Sequence, residues 1–189
     1  LGGVMGQIHS ASTVTNCSNN KDLTINMNAA KAYVGGVIAY PSGAAILSTL
    51  TNNNAITFTG TTTGIYAAGG VIGYIDNASA TSANLVNGAT VTFSGTAGTS
   101  LYAGGVVGYT MGAIAPAEGG TVGAKNNGTV TFGGTSTSGY FVGGVVGYST
   151  NEISYLTSSE DSSITYNGTA GTNLYAGGMI GYTAKSVSN

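Results

Sequence analysis

Charge is what this sequence has least of. Only 5% of its 189 residues are Asp, Glu, Lys or Arg, against about 25% in ordinary soluble proteins. Arginine is absent, the cations are Lys21, Lys31, Lys125 and Lys185, and the net charge is -2. So sparse a positive field does not hold phosphates, which argues against nucleic acid and against an anionic membrane surface as partners. No apolar run reaches the roughly 18 residues of a membrane span. Cys17 stands alone, so neither an intramolecular disulfide nor a cysteine metal site can form, and the residue reads as a small thiol within a strand. His9 is also alone, and no Gly-x-Ser-x-Gly elbow accompanies it. Carboxylates are scattered: only Glu152, Glu160 and Asp161 lie near one another, a solvated corner with a weak calcium site as the alternative. A helical apolar period is missing too, because glycine interrupts every candidate. The reading is a non-enzymatic chain without a cofactor. Its solubility rests on Thr, Ser and Asn, or its surface is meant to pack against copies of itself.

What the chain does have is repetition. Leu101-Tyr-Ala-Gly-Gly-Val-Val-Gly-Tyr109 recurs in close copies, the first glycine of each pair falling at Gly2, Gly35, Gly69, Gly104, Gly143 and Gly177. The successive steps are 33, 34, 35, 39 and 34 residues. A period in that range marks a stacked array, so residues 1–189 read as one repeat array with units starting near 2, 35, 69, 104, 143 and 177. The short runs are rich in Val, Ile, Thr, Tyr and Phe and are separated by Asn and Gly turn clusters at Asn16–Asn20, Asn52–Asn54, Asn87-Gly88 and Asn126–Gly128. The fold class is all-β, a β-solenoid of about five to six repeats of roughly 34 residues, with coils about 4.8 Å apart. Three strands per coil are expected, and the variable loop is widest at Met111–Ala124.

One strand of each unit orients the coil. In Thr90-Val-Thr-Phe93 and its relatives, alternate residues point opposite ways. Ile25, Ile56, Val91, Val130 and Ile164 form an inner row, with Met27, Phe58, Phe93, Phe132 and Tyr166 beside it. Thr57, Thr92, Thr131 and Thr165, with Asn26 in the first copy, form an outer hydroxyl ladder. The glycine strand is apolar on both faces, so something covers both: a segment of its own coil or another chain. Its paired glycines call for close approach of a backbone or an aromatic ring. Gly104, Gly105, Val106, Val107 and Tyr109, with Tyr74, Tyr148 and Tyr182, are the candidate stacking and assembly residues.

Units such as Val142-Gly-Gly-Val-Val-Gly-Tyr148, with their Asn corners and Thr-Val-Thr strands, resemble the GLUG-type repeats of bacterial cell-surface proteins over almost the whole chain. The resemblance implies a secreted or surface-anchored, adhesin-like protein and brings no catalytic residues. The leading expectation is an extracellular rod or filament subunit that self-associates, head-to-tail or laterally, as part of a longer chain or of a polymer, and mediates attachment, with environmental glycans as further partners. Two alternatives stand beside it: a carbohydrate-binding or carbohydrate-cleaving β-helix using tyrosines as sugar platforms, and an ice-binding solenoid using the threonine ladder. Sequons start at Asn16, Asn77, Asn127 and Asn167.

Overall fold

The computed structural model describes residues 1–189. It contains strands and no helix, and every strand pairing is parallel between one coil and the next. One turn shows the plan. Val91–Phe93 enters a five-stranded threonine sheet, Thr96–Ala97 a short sheet, and Leu101–Gly104 a pre-glycine sheet. Val107–Thr110 then enters a six-stranded post-glycine sheet, and Ala113–Ile114 with Ala124–Asn126 closes the turn in an asparagine sheet. Equivalent residues stack: Val91 on Val130, Leu101 on Tyr140, Tyr109 on Tyr148. The chain is therefore a β-solenoid of about five turns of roughly 34 residues. The turns pass through five sheets rather than the three strands expected.

The extra segments come mainly from the glycine motif, which is two strands and not one. Leu101–Gly104 stops at the glycine pair, the chain bends through Gly105 and Val106, and Val107–Thr110 begins another sheet. At the bend one carbonyl serves two donors: Val106 O accepts from Val71 N at 2.9 Å and from Ile72 N at 3.0 Å, and Val145 O does the same for Val106 and Val107. The two halves then pack against each other, backbone on backbone. A Cβ on Gly108 would stand 2.6 Å from the carbonyl oxygens of Ala68 and Gly73. On its inner side the cover required for this apolar motif thus comes from the same chain. The core divides at the same bend, with Val106 and Val107 in one apolar cluster and Leu101 and Ala103 in the other.

Between the clusters runs a ladder of buried asparagines. Asn19 Nδ2 donates to Asn52 Oδ1, Asn52 to Asn87, and Asn87 to Asn126, each at 2.8 Å. Each amide also donates to a carbonyl two residues on, for example Asn87 Nδ2 to Ala89 O at 2.7 Å. Buried polar groups are tolerated when paired in this way. The ladder lies against the second glycine of three pairs, Gly36, Gly70 and Gly105, where a Cβ on Gly105 would meet Asn126 Cγ at 3.1 Å. Outside glycine, positive φ falls at Asn16, Thr49, Asn84 and Tyr155, each three residues before the ladder position and inside the asparagine sheet or beside its strands, so that only Asn16 of the turn asparagines adopts it. In the last full turn Ser158 takes the ladder position, in register with Asn126.

Two further differences from the sequence reading concern register. In the first unit Leu23 pairs with Ile56 and Ile25 with Phe58, so that unit is shifted by two residues and Met27 is not the partner of Phe58. An even shift leaves inside and outside unchanged. The wide loop of the fourth unit leaves the asparagine sheet between Ile114 and Ala124, and both flanking segments still pair with Thr81–Asn87. The threonine sheet keeps its register through this insertion.

Candidate functional site

Two surfaces of the rod carry ordered side chains. The first is an aromatic stripe along the glycine motif. Tyr74, Tyr109, Tyr148 and Tyr182 stack one coil apart, with ring centroids 4.3, 5.1 and 4.7 Å apart and planes within 16° of parallel. The pre-glycine sheet supplies a second column, Tyr102, Phe141 and Tyr175, at 5.2 and 5.0 Å. The columns interlock edge to face, as in Phe141 on Tyr148 at 89°. Aromatic pairs of both geometries are attractive beyond the area they bury. Ala67 replaces the ring in the second column, and there Tyr33 leans onto Tyr74 at 4.6 Å and Tyr40 at 4.7 Å.

Most of these rings are half-buried, and Tyr175 and Tyr182 are exposed. Burial raises the phenol of Tyr74 well above the usual range, with the adjacent Tyr109 phenol adding to it. Tyr40 is pushed up to about 12, chiefly because its hydroxyl donates to the Asp76 carboxylate at 2.6 Å, with burial second. The phenols of Tyr40 and Tyr74 therefore stay neutral across the physiological range.

The second surface is the outer face of the threonine sheet. Thr24, Thr57, Thr92, Thr131 and Thr165 stack in register, each between buried or half-buried neighbours that point inward. The first-copy member of this ladder is thus Thr24, while Asn26 aligns with Thr59. A parallel column stands four residues on: Thr61, Thr96, Thr135 and Thr169. Hydroxyls touch between coils at its centre, where Thr135 Oγ1 donates to Thr96 Oγ1 at 3.0 Å.

Of the anticipated assembly residues, Tyr74, Tyr109, Tyr148 and Tyr182 reach the surface. Gly104, Gly105, Val106 and Val107 are enclosed and stack on neighbouring coils of the same chain. Tyr33, Tyr102, Phe141 and Tyr175 lie outside that set and join the stripe, each two residues before a glycine pair. His9 is exposed, and Cys17 is half-buried in Thr13–Asn19 opposite Leu50. Glu152, Glu160 and Asp161 are exposed, and no three His, Cys, Asp or Glu side chains gather as a metal site. Asn16, Asn127 and Asn167 are exposed and Asn77 is half-buried. No helix crosses a membrane, as there is none.

No protein-family profile, curated protein or solved structure matches this chain. The likeness to GLUG-type repeats rests on the motif alone.

Proposed function

We propose that the chain is a non-enzymatic, extracellular structural segment, a solenoid rod that associates with copies of itself and attaches to surfaces. The aromatic stripe carries this reading. It runs through the glycine motif of successive coils, is half-open to solvent and bears a single carboxylate, Asp76. A long aromatic edge with so little charge loses little on leaving water and meets little charge repulsion from a second copy. Low charge over the whole chain and the GLUG-like motif support the same view. Electron microscopy of the purified chain across a concentration series tests it. Bundles or filaments that form with rising concentration, and that are weakened by Tyr109→Ser with Tyr148→Ser, are the expected result. Monodisperse short particles at every concentration would overturn it.

The paired threonine columns favour ice binding as a second reading. Hydroxyls and methyls repeat about every 4.8 Å along the rod and at multiples of about 3.3 Å along each strand. They stand on a β-branched, rotationally stiff side chain, and the columns contain no charged residue. Inhibition of ice recrystallisation by the chain, abolished by Thr92→Lys with Thr131→Lys, is the result this reading requires.

A further inference from the structure

The stacked phenols are also oxidisable groups held at contact distance. The chain has no tryptophan, a single cysteine and four methionines among its 189 residues, against twelve tyrosines. The one cysteine lies in the asparagine sheet, away from the aromatic stripe. Of the three exposed tyrosines, Tyr175 and Tyr182 lie on that stripe and Tyr155 off it, so a one-electron oxidant acting on this rod reaches the stripe at its exposed end. Tyr74 and Tyr109 lie 4.3 Å apart and 4° from parallel, and Tyr148 and Tyr182 continue the column at 5.1 and 4.7 Å. Near one end, the Tyr40 hydroxyl donates to the exposed Asp76 carboxylate at 2.6 Å. Tyr40 is joined to Tyr74 through Tyr33. Losing an electron makes a phenol strongly acidic, so a carboxylate already hydrogen-bonded to it takes the proton as the electron leaves.

We propose that the column Tyr74, Tyr109, Tyr148 and Tyr182 is a site of oxidative coupling, in which hydrogen peroxide and a haem peroxidase join tyrosines of successive coils as dityrosine. Each phenol gives up one electron and one proton. Two phenoxyl radicals on neighbouring coils then combine through ring carbons ortho to oxygen. The two hydrogens on those carbons shift to the oxygens and restore both phenols. For each link one peroxide is reduced to two waters and the protein loses two hydrogen atoms. The second column cannot do the same, because Phe141 separates Tyr102 from Tyr175. The product is a rod whose coils are covalently stapled along one edge. Its biological use rests on the extracellular structural reading, whereas the coupling chemistry does not.

The test treats the dilute chain with hydrogen peroxide and horseradish peroxidase and follows dityrosine fluorescence, intact mass and peptide maps. The expected product runs as a monomer on a denaturing gel and is lighter by two hydrogens per link. Its bridged peptides pair Tyr74 with Tyr109, Tyr109 with Tyr148, or Tyr148 with Tyr182. The Tyr109→Phe, Tyr148→Phe variant keeps both rings and the stack, as Phe141 does naturally, and should lose the links among these four tyrosines, lowering the intramolecular yield. Asp76→Asn should slow oxidation at Tyr40. Links found only between molecules, links spread over Tyr155 and Tyr166, or intramolecular yield unchanged in the double phenylalanine variant would each overturn the proposal. Microscopy of the untreated chain judges self-association separately, so failure of one leaves the other readable.

Discussion

The two sides of each coil are built by opposite means. On the threonine side, side chains do the packing: Phe58, Phe93 and Phe132 fill the interior, while the threonines between coils face water. On the glycine side the backbone does the packing: carbonyls and amides of adjacent segments approach where a Cβ would otherwise stand, and an asparagine ladder seals the seam. A strand that packs through side chains tolerates substitution on one face. A strand that packs through its backbone tolerates little on either.

The sharpest way to break this comparison is Gly105→Ala. The new methyl would collide with Gly144 O and lie 2.9 Å from Val130 Cγ2 and 3.1 Å from Asn126 Cγ, with backbone above and the ladder beside it. Neither neighbour can retreat without loosening the coil stack, so a loss of about 4 kcal/mol or more, or failure to fold, is expected. Thermal melting followed by circular dichroism reads it. A well-folded Gly105→Ala protein would show that the glycine side has slack.

Phe93→Ala probes the other side through its interior. The ring is 1% exposed and packs edge to face on Tyr66 at 4.9 Å. Its removal should cost about 3–5 kcal/mol, measured by urea unfolding, because stacked coils above and below hold the cavity open. Asn87→Ala comes next. It orphans one Asn52 donor, the Asn126 acceptor and the Ala89 carbonyl. The expected loss is about 2–4 kcal/mol, since each unsatisfied buried group costs about 1–3 kcal/mol and relaxation recovers part of it.

How far each side could be read from sequence follows from the same contrast. Alternation in Thr90-Val-Thr-Phe93 announces inside and outside because side chains carry the information, and that face stands as read. The repeat spacing likewise announces a solenoid. The glycine motif looked like a single strand with two apolar faces, because the bend at Gly105 and Val106 is written in the absence of side chains. The asparagines read in the sequence as turn residues, since a buried amide ladder needs knowledge of which residue lies above which. Only stacking reveals that Asn52, Asn87 and Asn126 share a line. The first-unit shift, with Ile25 rather than Met27 beneath Phe58, escaped for a similar reason: two even-spaced registers satisfy the same alternation.

Alkali loads both sides by a milder route. Burial raises the phenols of Tyr66 and Tyr140 above the ordinary value of 10.0, and Tyr40 is raised to about 12 by its bond to Asp76 and by burial. A raised value means the fold favours the neutral phenol. The stabilisation is then complete below about pH 10 and is lost as the pH climbs through the folded values. Melting temperature should be level up to about pH 10 as far as these groups are concerned and fall above it. Tyr66→Phe should reduce the slope of that fall, although it also removes the 2.9 Å bond from the Tyr66 hydroxyl to Thr59 O. A melting temperature that does not decline in alkali would mean that these phenols are not held neutral by the fold.

The smallest expected effect is the most informative about the outer face. Thr92→Val keeps the β-branch and the volume and removes only a hydroxyl at a half-exposed position in the middle of the threonine sheet. Nothing in the coil requires that hydroxyl, because Val91 and Phe93 carry the packing from the opposite face. The change should lie within about 0.5 kcal/mol, or about 1–2 °C in melting temperature for a chain of this size. A loss comparable to that of Asn87→Ala would give the outer hydroxyls a structural task and erase the distinction between the two sides. A change near zero leaves the column of threonines without a role in folding, so that its regularity along the rod must be explained by what the face meets outside the protein.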